Sequence, residues 1–170
     1  MKKHFTILLP VLTAALMLFG GCGIYSFSGT SIQPDVKTIT IEPVENKALK
    51  INPMLANTLF EQMCDKYKKL TKLEQVDEDG DLNVLATIES YQVSAAAVTA
   101  NEVAALNRLT VTVKVKFVNA KHPEENFEKS FAAYEDYDST NSIDAVEAQL
   151  CDTIVEKLIE DIFNATVANW

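Results

Sequence analysis

The chain has 170 residues, 48% of them hydrophobic, with 24 acidic side chains against 15 basic ones and a net charge of −9. Such a surplus of carboxylates excludes nucleic-acid binding through a broad electrostatic surface, so any anionic ligand has to meet a local basic patch. The length suits one domain with a sizeable core, and no internal repeat or low-complexity segment is present.

The first stretch is set apart from the rest. Met1-Lys2-Lys3-His4 is a short basic start, Phe5 to Phe19 is apolar except for Thr6 and Thr13, and Gly20-Gly21-Cys22 follows. That is the order of an export signal. The apolar run of about 15 residues is short of the roughly 20 that a spanning helix needs, and Pro10 interrupts it. Residues 1–21 are therefore read as a signal peptide. The small pair before Cys22 resembles a bacterial lipobox, with Phe19 where the usual pattern has an aliphatic residue and Leu18 one position further out. Cleavage there makes Cys22 the N-terminus and the lipidation residue, and several acyl chains on one cysteine hold a protein stably to a membrane. The mature chain keeps 13 basic against 24 acidic residues, a net charge near −11. Residues 22–34, rich in Ser, Gly and Thr, form a lipid-anchored tether, and 35–170 form a single α/β domain.

Within that domain, Val36-Lys37-Thr38-Ile39-Thr40-Ile41 alternates apolar with polar and predicts a strand ended by Pro43. Asn52-Pro53 opens a helix, with Asn as N-cap and Pro at the first helical position. Its apolar rows are Leu55, Leu59, Met63 and Ala56, Phe60, Cys64, Tyr67. Lys66, Lys68 and Lys69 make a solvated helix end, suited to the dipole. Asp77-Glu78-Asp79-Gly80-Asp81 is an acidic turn. A calcium loop starting at Asp77 needs a bidentate Glu at its twelfth position; Ile88 stands there, so no metal site is expected.

A second strand follows, with Leu82, Val84, Ala86 and Ile88 on one face, running past Tyr91. Ala95 to Ala105 reads as either a strand end or a loose connection. In the clearest strand of the chain, Leu109, Val111, Val113, Val115 and Phe117 face one way, and Arg108, Thr110, Thr112, Lys114 and Lys116 the other. After a polar turn at 121–126, a fourth strand covers 127–135. Ser139-Thr140-Asn141-Ser142 offers several N-caps to a long helix reaching about Val167, whose wide apolar stripe is that of a helix laid on a sheet.

The order β-α-β-β-β-α predicts an α+β two-layer sandwich, with two helices packed on one face of a four-stranded mixed sheet. Cys64 and Cys151 fall on different helices. An oxidising compartment permits a disulfide between them, whereas apolar surroundings suit free cysteines; the sequence leaves both readings open.

Catalytic chemistry finds little to work with. His4 is lost with the signal and His122 lies in a polar turn, so no Ser-His-Asp or Cys-His pair is indicated. There is no CxxC, no HExxH and no phosphate-cradling glycine loop. No enzyme, no cofactor and no metal are expected. What remains is binding: Arg108, Lys114 and Lys116 project from one strand face, a strip that phosphate groups could meet.

Several stretches together are similar to one family. They are Cys-Gly-Ile-Tyr-Ser-Phe-Ser-Gly-Thr-Ser-Ile at 22–32, Val36 to Ile41 leading to Glu45-Asn46, Asn52-Pro53, and Asp79-Gly80-Asp81-Leu82. Ile88 to Tyr91, Asn107-Arg108-Leu109-Thr110-Val111, and Asp161-Ile162-Phe163-Asn164 to Trp170 complete the set. The chain resembles the LptE family of lipopolysaccharide-assembly lipoproteins. That resemblance implies a lipoprotein of the outer membrane that binds and stabilises an LptD-type β-barrel and assists placement of lipopolysaccharide in the outer leaflet, by binding rather than catalysis. No family motif fixes the basic residues, so Arg108, Lys114 and Lys116 rest on the strand pattern. The alternative is a generic acidic envelope lipoprotein, an adhesin or a subunit of another complex.

Overall fold

The structure, a computed structural model, describes residues 31–50, 52–98 and 104–168. The signal peptide, Cys22, most of the tether, the middle of the 95–105 connection and Trp170 lie outside these residues.

Among the described residues, six strands form one sheet: β1 (Thr38–Ile41), β2 (Glu45–Asn46), β3 (Glu74–Gln75), β4 (Leu82–Val98), β5 (Ala104–Asn119) and β6 (Phe127–Asp138). Helix α1 (Leu55–Leu70) precedes β3, and α2 (Ile143–Val167) ends the domain. The sheet order is β3-β1-β4-β5-β6, with β2 also against β4. β4, β5 and β6 form an antiparallel meander, whereas β1 runs parallel to both β3 and β4. Parallel pairing demands a crossover, and α1 is that crossover. The mixed α+β sandwich is thus as read from the sequence, with a correction in strand number. β2 and β3, two residues each, are too short to show alternation, and they make six strands where four were expected.

The alternating strands bury their expected faces. Leu82, Val84, Ala86 and Ile88 of β4 and Leu109, Val111, Val113, Val115 and Phe117 of β5 are buried with Phe131, Ala133 and Tyr137 of β6. Both helices cover this face, contributing Leu55, Leu59, Met63 and Tyr67 from α1 and the Leu150–Ile154–Leu158–Ile162 row from α2. The first helix starts later than expected, at Leu55, with Met54 at the cap position and no side-chain capping bond from it. Asn52 Oδ1 accepts from the amides of Met54 (2.9 Å) and Leu55 (3.2 Å) in the turn that leads in. At α2 the cap position falls to Ser142, whose side chain makes no capping bond.

The two helices run side by side in the same direction. Asn52, just before α1, meets Cys151 about a third of the way along α2 (3.8 Å). Tyr67 near the end of α1 shares a hydrogen bond with Thr166 near the end of α2 and packs edge-on against Phe163. This register decides the cysteines. Cys64 lies twelve residues beyond Asn52, roughly 18 Å along the axis, far outside the Cα separation a disulfide tolerates. Both are free thiols, and burial pushes each thiol's pKa up. Lys66, expected at a solvated end, instead reaches Glu160 of α2.

Candidate functional site

The helices leave the other sheet face open, and Arg108, Lys114 and Lys116 lie there, on alternate positions of β5. Their cross-strand neighbours on β6 are Asp136, Ser130 and Glu128. Arg108 engages Asp136 through both edges of its fork, Nε to Oδ1 at 2.7 Å and Nη2 to Oδ2 at 3.0 Å. The guanidinium also lies 3.7 Å from the centroid of the Tyr134 ring. Lys114 pairs with Glu128. Lys116 is exposed and acts on Glu128 at longer range.

These pairs hold every partner in its charged form. The Asp136 carboxyl is held below the usual range by the Arg108 hydrogen bonds, and Glu128 by Lys114. Arg108 and Lys114 are correspondingly raised. The arrangement is therefore an alternating ladder of fixed donors and acceptors, not a field of bare positive charge. Beside it lies a shallow depression of about 490 Å³ bounded by Lys47, Thr87, Glu89, Lys114, Lys116 and Glu128. Sequence reading placed the three basic residues on the wet face but missed the carboxylates and Tyr134. Cross-strand partners follow from the β5–β6 register, which hydrophobic alternation does not specify.

At the lower end of the sheet, the acidic turn holds β1 in place. Asp81 Oδ2 accepts from the amides of Lys37 (2.8 Å) and Thr38 (3.2 Å), and these bonds hold its carboxyl below the usual range. Nearby, buried Asn119 accepts from the amides of Lys121 and His122, both at 3.0 Å, and donates to Glu125. His122 Nε2 stands 3.1 Å from both oxygens of Asp35, with Glu124 at 3.6 Å from Nδ1. Among the described residues, no group of three or more His, Cys, Asp or Glu is arranged to hold a metal ion. No described helix is long and apolar enough to cross a membrane.

Among the described residues the domain is thus an open, polar sheet face backed by two parallel helices. The model of the lipopolysaccharide-assembly family LptE matches residues 36–166, and the chain belongs to that family. Solved structures share the fold at low identity. A hypothetical protein of Chlamydia trachomatis is 8% identical with a TM-score of 0.53, the match covering 76% of this chain and 97% of that one. An uncharacterized lipoprotein B of Nitrosomonas europaea is 10% identical, TM-score 0.51, covering 75% and 79%. The rare lipoprotein B of Shewanella oneidensis is 11% identical, TM-score 0.50, covering 74% and 89%. Among curated proteins none matches in sequence.

Proposed function

We propose that this chain is an outer-membrane lipoprotein, anchored through acylated Cys22, that binds and stabilises an LptD-type β-barrel and assists the insertion of lipopolysaccharide into the outer leaflet. Residues 1–21 serve as its signal, 22–34 as its tether and 35–170 as one binding domain. The observation that carries this reading is the family match across 36–166. The small pair before Cys22 supports the anchor, and the ladder on the open face supports a binding rather than a chemical role.

In this reading Arg108, Lys114 and Lys116 contact lipopolysaccharide phosphates. The Arg108 fork is already oriented by Asp136 and by the Tyr134 ring, so a phosphate meets donors that need little further ordering. Exposed ion pairs of this kind are weak, so a phosphate bearing more charge than a carboxylate can displace Glu128 from Lys114 or share Arg108 with Asp136.

The test is purification of the full chain from detergent-solubilised outer membrane. Wild type should carry a large barrel partner, and Cys22→Ser should lose acylation and leave the membrane. With purified lipopolysaccharide, replacing Arg108, Lys114 and Lys116 together by Ser should weaken capture about tenfold or more at low salt, while Glu128→Gln with Asp136→Asn should strengthen it. A chain that purifies without a barrel sinks the assembly role. Equal capture by all three proteins sinks the contact residues alone.

A further inference from the structure

Beyond Ile88, β4 continues to Val98 with β5 on one side only. The lane on its other side holds β1 against Leu82 to Val84 and β2 against Thr87 and Ile88. It closes with the bond from the Lys47 amide to the Ile88 carbonyl, 2.9 Å. There the chain leaves the sheet towards α1. Among the described residues, nothing pairs with β4 on that side past Ile88.

The free edge is unusual in its chemistry. Ser90 to Val98 are nine consecutive uncharged residues in a chain that is 23% charged. Gln92 to Ala96 are exposed side after side, on both faces of the strand. Register shifts after Ile88 and after Ala95 bound a regular stretch, Ser90 to Ala95, roughly 20 Å long. The outer edge of β6 is guarded by contrast: it is dense in charge, and Lys157 of α2 donates to the Tyr134 carbonyl at 3.2 Å. Charges of that kind keep an open edge from recruiting other strands. β4 has none along this stretch, and its unpaired amides and carbonyls match one class of occupant, another extended backbone.

We propose that the Ser90–Ala95 edge receives an extended segment of the barrel partner, added as a strand in the lane that β2 vacates. The proposal rests on the barrel reading given above. A closed barrel wall has no free edge of its own, so the segment comes from a loop or a terminus of that protein. Charge selects against a second copy of this chain, because two mature domains each near −11 repel. Glu89 at the start of the edge leans the other way, accepting from Ser130 Oγ of β6 at 3.1 Å, so the edge favours a segment that is uncharged along its length.

The experiment compares amide hydrogen exchange in the full detergent-solubilised chain, alone and in its isolated barrel complex, with a photo-crosslinking residue at exposed Gln92. In a β-strand alternate amides point to the free side. Those between Ser90 and Ala95 should exchange at least about tenfold more slowly in the complex, and the Gln92 crosslink should yield a peptide of the barrel protein. A complex that forms but leaves these amides unchanged overturns the edge inference and leaves the barrel reading standing. If no barrel complex forms, both fall. If the amides are already slow in the isolated chain and Gln92 crosslinks to a second copy, the occupant is this chain itself and the proposal is overturned.

Discussion

At the scale of single residues, the most consequential side chains lie in turns. A Cβ on Gly80 would stand 2.5 Å from the Thr40 amide nitrogen and 2.8 Å from both the Ile39 carbonyl carbon and the Leu82 carbonyl oxygen. These are main-chain atoms of paired strands and cannot yield cheaply. Gly80→Ala should cost about 1–3 kcal/mol, read as a lower urea midpoint with an unchanged slope. The neighbouring turn gives a pH dependence. The Asp35 hydrogen bond raises the His122 pKa above its ordinary 6.5, with Glu124 and Glu125 adding to it, and Asp35 is lowered below 3.8 by the same contact. Stabilisation from a raised histidine is fully present below its unfolded pKa and is lost as pH rises through the folded value. Stabilisation from the lowered Asp35 is lost as pH falls through its own folded value. The pair therefore holds across the mildly acidic range. His122 is the one histidine of the chain after Cys22, so its imidazole resonances titrate without overlap. The midpoint should lie above 6.5 and drop in Asp35→Asn; a midpoint at or below 6.5 in the wild type would contradict the contact.

At the scale of elements, the long helix and the central strands share one core. Ile154 is fully buried in the α2 row that faces the sheet. Ile154→Ala should destabilise by about 2–5 kcal/mol, and a melting temperature equal to the wild type's would mean that the helix does not pack there. This layer was legible in the sequence because burial leaves a period: alternation in β4 and β5, and rows four apart in both helices. β2 and β3 left no period because two residues cannot show one. Asn119 organises the β5–β6 turn through a buried amide group, which a pattern of hydrophobicity does not record. Asp136 and Glu128 were missed as partners of Arg108 and Lys114 for a related reason. Their pairing depends on the residue-by-residue register between strands.

At the scale of the whole molecule, the parallel course of α1 and α2 keeps the two thiols apart. Stability therefore rests on the shared core, with no covalent staple among the described residues. The full chain should melt at the same temperature with and without a thiol reductant, in one transition followed equally by far-ultraviolet and tyrosine signals. A reductant-dependent shift would require a register other than the one set by the Asn52–Cys151 and Tyr67–Thr166 contacts.

The entry segment carries a consequence of another kind. The Ser31 amide donates to the Val167 carbonyl at 2.8 Å, and Ile39 of β1 lies beside Leu82 of β4. The first described residue is thus held by the last residue of the final helix. A chain grows from its N-terminus, so the part made earliest waits longest for its partners. The β4–β5–β6 meander can assemble from neighbours, but the first strand cannot settle until β4 has been made, nor can Ser31 until α2 is complete. A copy cut short during translation leaves its leading end unfastened, so the finished fold is in effect a check that its own synthesis ran through to Val167.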